Sequence, residues 1–180
     1  MRDSLIPEDE PARLAALRAL ELLDTPPEER FDRITRLVGR LLAAPIAIVH
    51  FIDADRQWGK SCFGVPSSET PRTSSFCAHA ILGEAPLVVA DTTVDHRFAT
   101  NPMVVGDPGI RSYAGVPVHD PGGFRIGTLC VSDYRKRAWS DAEVRTLTSL
   151  AGWVEVEIAA GLLRGHVARC EARIRELEGR

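Results

Sequence analysis

Two segments constrain this chain more than any others, IAIVHFID at 46–53 and FRIGTLCVS at 124–132. Both are short runs of β-branched and apolar residues bounded by turn formers, which reads as strand. Alternate residues of a strand point to opposite faces. In the first, Ile46, Ile48, His50 and Ile52 share one face, and Ala47, Val49 and Phe51 the other. In the second, Phe124, Ile126, Thr128 and Cys130 oppose Gly127, Leu129 and Val131. Every face is mainly apolar, so the sheet must be covered on both sides.

Helices can supply one cover. Leu14, Leu17 and Leu20 recur within 8–22. TPPE at 25–28 offers Thr25 as a cap, Pro26 at the first helical position and Glu28 to close a capping box. Phe31, Ile34, Val38 and Leu41 then follow at helical spacing to about residue 43. Ser140 with Glu143 makes a second capping box, which predicts a helix running to about Leu177. Gly161 and Gly165 interrupt its pattern, at about 1 kcal/mol each relative to Ala.

Further strands are expected at 56–62, 87–90 and 112–118, and a short helix at 73–82. The order is helix, helix, five strands with a helical insertion, then a long helix. That is an α+β domain around a mostly antiparallel sheet. The second cover falls to 63–111, which offers Phe76, Ile81, Phe98, Met103 and Ile110. It also carries Ser74, Ser75, His79, Asp91, His96, Arg97 and Asn101. An apolar floor under a loop-built roof with a few polar groups is the composition of a small-molecule site.

Charge excludes other partners. The chain has 22 basic and 25 acidic side chains, net −3, with its basic residues dispersed. That argues against nucleic acid and anionic membranes. No stretch approaches the roughly 18–20 apolar residues of a membrane span, and the start lacks a secretory apolar region, so the expected compartment is the cytoplasm. Cys62, Cys77, Cys130 and Cys170 lie far apart without a CxxC and are expected to be free thiols.

DADRQWGKSCFG, ETPRTSSFCAHAIL, PLVVADTTVDHRFATNP, IRSYAGVPV and GFRIGTLCVSD occur in that order. Together they resemble the GAF domains of bacterial signalling proteins, of the subtype found ahead of diguanylate cyclase, histidine kinase or phosphatase modules. The lead-in LRALELLDTPPEERFDRITRL is similar too. The resemblance spans about 10–160. It implies a central antiparallel sheet of five to six strands, helices on one face, and a loop-covered ligand pocket on the other. It divides the chain into an N-terminal lead-in and dimerisation helix at 1–25, the GAF domain at 26–160, and a C-terminal signalling helix or short coiled coil at 161–180. GAF domains bind chemically diverse ligands, so the resemblance leaves the cofactor unknown.

Cys77 and His79 invite three chemical readings. Metal binding by this pair is not expected, because residues two apart on a helix project roughly 200° apart, and His50, His96 or Cys62 stand at no recognisable ligand spacing. Thiol chemistry of the free methionine sulfoxide reductase type would use Cys77 with Cys62 or Cys130, but the closely placed cysteine set of that family is missing. Bilin attachment in phytochrome-like GAF domains places His directly after the linking Cys, whereas Ala78 intervenes here. The expected role is pocket wall, with no catalytic residue and no metal. Candidate ligand-binding residues are Trp58, Ser75, Phe76, Cys77, His79, Asp91, Arg97, Arg111 and Tyr113, with Arg97 or Arg111 pairing an anionic group.

Toward the C-terminus, Val167, Cys170, Ile174 and Leu177 follow 3-4-3 spacing. Such a seam needs a partner, and a second copy is the simplest. The expectation is a non-enzymatic sensory module binding an unidentified small molecule, dimeric, and acting on an output domain or partner protein. A thiol-based redox role and a dimerisation domain without ligand are the alternatives.

Overall fold

The computed structural model describes residues 5–66 and 69–178. Among them, β1 (Ile46–Ile52) and β6 (Arg125–Asp133) lie side by side at the centre of a six-stranded antiparallel sheet. β2 (Arg56–Phe63) and β3 (Glu69–Pro71) extend it beyond β1, and β5 (Ser112–His119) and β4 (Leu87–Val89) beyond β6. The sixth strand, β3, was not foreseen within 63–73. It has only three residues and pairs with Arg56, Gln57 and Trp58.

Both faces are covered. Ala47, Val49, Phe51, Leu129 and Val131 pack against α1 (Glu10–Ala19), α2 (Glu29–Leu41) and α5 (Asp141–Glu178) through Leu17, Phe31, Val38, Leu147 and Val154. On the opposite face Ile46, Ile48, Ile52, Tyr113 and Cys130 meet Phe76, Ile81, Phe98, Val104 and Ile110. That cover consists of a 3-10 turn (Arg72–Ser74), α3 (Phe76–Ala80), α4 (Pro102–Val105) and the segments between them.

Two bulges change the expected faces. Between His119↔Arg125 and Val118↔Gly127, Ile126 is an extra residue, and it joins the helix-side core away from Cys130. Between Val49↔Ser61 and His50↔Gly59, Lys60 is extra. Its ammonium is buried, donates to the Pro26 carbonyl at 2.9 Å and pairs with Glu28 at 2.7 Å.

That contact accompanies a correction at TPPE. α2 begins at Glu29, not Pro26, and Thr25 donates to the Leu22 carbonyl without capping it. Pro26 precedes another proline, which disfavours its helical conformation. The first helix is likewise shorter than 8–22. α5, by contrast, passes through residue 161 unbroken, so no helix end marks the expected division there. Gly161 has a local reason: a Cβ would meet Arg30 Nη1 at 2.5 Å, the atom that donates to the Glu157 carbonyl at 2.6 Å. By length and composition alone α5 is long and apolar enough to cross a membrane. Its Leu147, Leu150, Ala151, Val154 and Ile158 are nevertheless buried on the sheet.

A buried ion cluster ties α1 to the loop cover. Glu10 accepts from Arg13 Nε at 2.7 Å and Nη2 at 2.8 Å, and Arg72 Nη1 pairs with the same carboxylate. Arg13 is fully buried, and Arg72 also donates to the Leu5 carbonyl at 2.7 Å. Burial alone would raise the Glu10 pKa, but the hydrogen bonds and charges of Arg13 and Arg72 outweigh it and hold it at about 2. A depressed carboxylate pKa adds stability that is fully present above about pH 4.5 and is lost as pH falls toward 2. Glu10→Gln is expected to cost about 3 kcal/mol at pH 7, because two buried guanidinium groups lose their counter-charge. Urea unfolding followed from pH 6 to pH 2.5 should show the variant losing less stability over that interval than the parent.

Candidate functional site

A cavity of about 260 Å³ lies between the sheet and the loop cover. Its floor is Ile46, Ile48 and His50 from β1, Tyr113 from β5, and Cys130 and Ser132 from β6. Its roof and rim include Phe76, Cys77, Met103, Asp107, Ile110, Glu69 and Thr70. No Lys or Arg is among the described lining residues, whereas Glu69 and Asp107 each bring a carboxylate.

Local sequence places the central groups. Ser75 caps α3 by accepting from the Ala78 N–H at 2.8 Å, which turns Cys77 inward. The Tyr113 ring lies along β5 over Gly115, where a Cβ would come within 2.0 Å of the phenol oxygen. The hydroxyl therefore reaches Cys77 Sγ at 3.3 Å, and the ring stacks on Phe76 with centroids 5.2 Å apart. His50 Nδ1 lies 3.4 Å from Cys77 Sγ and 3.6 Å from Cys130 Sγ, and the two sulfurs are 3.8 Å apart. All three residues are buried.

These neighbours shift one another. Burial disfavours ionisation of Cys77, but its hydrogen bond with Cys130 and the adjacent His50 hold its thiol well below the ordinary range. The contact with Cys77, together with burial, pushes Cys130 well up. Burial and the neighbouring Cys77 raise Tyr113 likewise.

Of the residues expected to meet a ligand, Phe76, Cys77 and Tyr113 line the cavity. Six do not. Trp58 pairs with Phe51 and packs on the helix-side core, because its register puts it on that face. Ser75 is buried and donates to Gln57 Oε1 at 2.6 Å as well as capping α3. His79 turns to the other side of α3 from Cys77, its ring edge-on to Phe98 with centroids 4.8 Å apart. Asp91 accepts from Thr93 and pairs with Lys136 at 2.7 Å, which together hold its pKa at about 2. Arg97 forks onto Asp95 at 2.9 and 2.6 Å. Arg111 donates to the Val104 and Ile110 carbonyls at 2.9 and 3.2 Å. Sequence reasoning missed His50, Gln57, Glu69 and Asp107 as lining. For His50 the signal was available, since it shares a strand face with Ile46 and Ile48.

A family model for the GAF domain matches residues 26–158. The chain belongs to the GAF domain family. It is 43% identical over 131 residues to the cyclic di-GMP phosphodiesterase PA2567 of Pseudomonas aeruginosa. That alignment covers 73% of this chain and 22% of the relative, so the chain spans about a fifth of that protein's length. Solved GAF structures share the fold. The GAF domain of an Acinetobacter phosphoenolpyruvate-protein phosphotransferase superposes with a TM-score of 0.64 at 19% identity, covering 84% of this chain and 95% of that one. Free methionine-R-sulfoxide reductase from Neisseria meningitidis, in complex with its substrate, gives 0.63 at 16% identity, covering 91% and 99%.

Because Ser75 serves both α3 and Gln57, its substitution reads out a scaffold role. Ser75→Ala is expected to cost about 1–2 kcal/mol, from a lost cap and a buried amide oxygen left without its donor. The midpoint of urea unfolding measures it.

Proposed function

We propose that this GAF domain is a cytoplasmic, non-enzymatic sensory module that binds a small molecule between sheet and loops and passes the signal through paired α5 helices. The observation that carries this reading is the 260 Å³ cavity beneath 63–111. It is just under the roughly 300–1,000 Å³ of drug-sized sites, so it suits a guest of amino-acid size better than a tetrapyrrole. With Asp107 at its rim, Glu69 already paired with Arg56 at 2.8 Å, and no described basic lining, it favours a neutral or amine-bearing guest. This revises the expected anionic ligand, since Arg97 and Arg111 are engaged elsewhere.

Burial also favours binding over thiol catalysis. Reactive cysteines are partly exposed, whereas Cys77 and Cys130 are 2% and 3% exposed. The similarity to a cyclic di-GMP phosphodiesterase supports an output in the turnover of that nucleotide, carried by an attached module.

The dimer reading draws on an outward seam of α5. Trp153, Val156, Leu163, Val167, Ile174 and Leu177 are exposed hydrophobics, Trp153 at 56% and Leu163 at 65%. With Ala160 and Cys170 they complete a 3-4 alternation from 153 to 177, which is a coiled-coil pattern. It extends the seam inferred from sequence back by two heptads, beside Ile34 and Leu37 of α2.

Native mass spectrometry of the purified protein should show a small added mass that disappears on denaturation; a bare mass with no shift on exposure to amines and neutral metabolites would remove the sensor reading. In a parallel, in-register dimer the two copies of Cys170 face each other. Mild oxidation should therefore give a disulfide-linked dimer on a non-reducing gel, abolished by Cys170→Ser. Light scattering that reports a monomer at micromolar concentration would count against the pairing.

A further inference from the structure

His50, Cys77 and Cys130 come from three separate places in the chain and converge with their donor atoms within 4.8 Å of one another. The triangle they make has the dimensions of a coordination site. Zn–S bonds of about 2.3 Å and Zn–N bonds of about 2.0–2.1 Å at tetrahedral angles place two sulfurs about 3.8 Å apart and sulfur and nitrogen about 3.6 Å apart. The observed edges are 3.8 Å between the sulfurs, and 3.4 and 3.6 Å from Nδ1 to each sulfur. We propose that His50, Cys77 and Cys130 form a three-coordinate site for a zinc-class ion where the floor and roof of the cavity meet.

Ligand chemistry supports the choice. Two thiolates and an imidazole select borderline or soft ions such as Zn²⁺ over Mg²⁺ or Ca²⁺, which take oxygen donors. Three protein ligands leave the fourth position of a tetrahedron open, as in zinc sites that take an exogenous donor. All three residues line the same cavity, which is the route by which such a donor would reach the ion. The outer partners are suitable too. Tyr113 O–H donates to Cys77 sulfur at 3.3 Å, an interaction that favours a thiolate ligand. The scaffold is firm: Cys130 and His50 sit on the paired central strands, with Cys130 opposite Ile48 and His50 opposite Thr128.

The site differs from the one weighed in the sequence. Cys77 and His79 point to opposite sides of α3, as helical geometry requires, and the histidine that meets Cys77 comes from β1. Metal binding here does not depend on the identity of any organic guest, since protein and metal alone test it.

The test uses the reduced, chelator-stripped protein, titrated with Co²⁺ and then Zn²⁺. One equivalent of Co²⁺ should bind with a near-ultraviolet thiolate-to-cobalt charge-transfer band, and one equivalent of Zn²⁺ should bleach it. Cys77→Ser and Cys130→Ser should each roughly halve that band. Each should weaken Zn²⁺ binding by more than the roughly 10–100-fold that loss of an outer partner costs. Cys62→Ser and Cys170→Ser should leave both unchanged. The unmodified protein gives a readout independent of variant folding: in urea just below the unfolding transition, where buried thiols become reachable, saturating Zn²⁺ should shield Cys77 and Cys130, but not Cys170, from alkylation mapped by mass spectrometry. Cobalt binding without a thiolate band would overturn the assignment. So would a band and a Zn²⁺ affinity unchanged in both serine variants, or alkylation of Cys77 and Cys130 in that urea at the same rate with and without Zn²⁺.

Discussion

The structure depends on one constraint, that β1 and β6 cannot leave either face in water. Each covering layer meets it differently. The helical layer satisfies its own backbone internally and can offer a dense apolar surface, so Phe31, Val38, Leu147 and Val154 pack without loss. The loop layer has backbone groups that must find partners elsewhere. Asn101 donates to the Ser74 carbonyl, Thr92 to the Ile110 carbonyl, and Arg111 to the Val104 carbonyl. Side chains used in this way cannot also fill space over the sheet, and the residual volume is the cavity. Site and roof are therefore one consequence of covering a sheet with irregular chain.

The ion cluster of Glu10, Arg13 and Arg72 fits this division of labour. α1 belongs to the helical layer through Leu17, yet its Glu10 holds Arg72, the residue that opens the loop layer. A buried charge without a partner is costly, so the three groups hold this join between the layers in one arrangement. Lys60 makes a similar join within the helical side, fastening the TPPE segment over β2.

Much of this was legible in the sequence because strand alternation is a local rule. The two apolar faces of 46–52 are the two observed cores, and grouping His50 with Ile46 and Ile48 placed it on the cavity side. The α5 capping box at Ser140 and Glu143 is present, with reciprocal bonds of 3.3 and 2.8 Å. What escaped depends on distant pairing. A bulge is defined by two strands together, so neither Ile126 nor Lys60 could be assigned a face from its own segment. Arg97 and Arg111 look alike as cations in sequence, and only the fold shows one on Asp95 and the other on carbonyls of its own loop. Cys77, Cys130 and His50 are 27 to 80 residues apart, beyond any motif spacing.

The sheet also sets how far a signal must travel on the proposed reading. Along β5 and β6, residues facing the cavity alternate with residues facing the helices: Tyr113 beside Ala114, and Cys130 between Leu129 and Val131. A displacement at the floor thus reaches α5 through the thickness of one strand layer. Because interiors are close-packed, on this reading such a displacement would be passed on as a shift of the whole helix. α5 is continuous over 38 residues, and at 1.5 Å per residue it is a rod of roughly 57 Å. Its buried face ends near Ile158 while its exposed seam continues to Leu177. One rigid element is thereby held by the sheet at one end and free to pair at the other, so a small rotation imposed near Val154 becomes a change in the geometry of the seam. Gly161, where Arg30 bonds to the Glu157 carbonyl, sits at the junction of these two regimes. That contact ties α2 to α5 at the point where the helix leaves the sheet, so on the proposed reading a rotation would be taken up there.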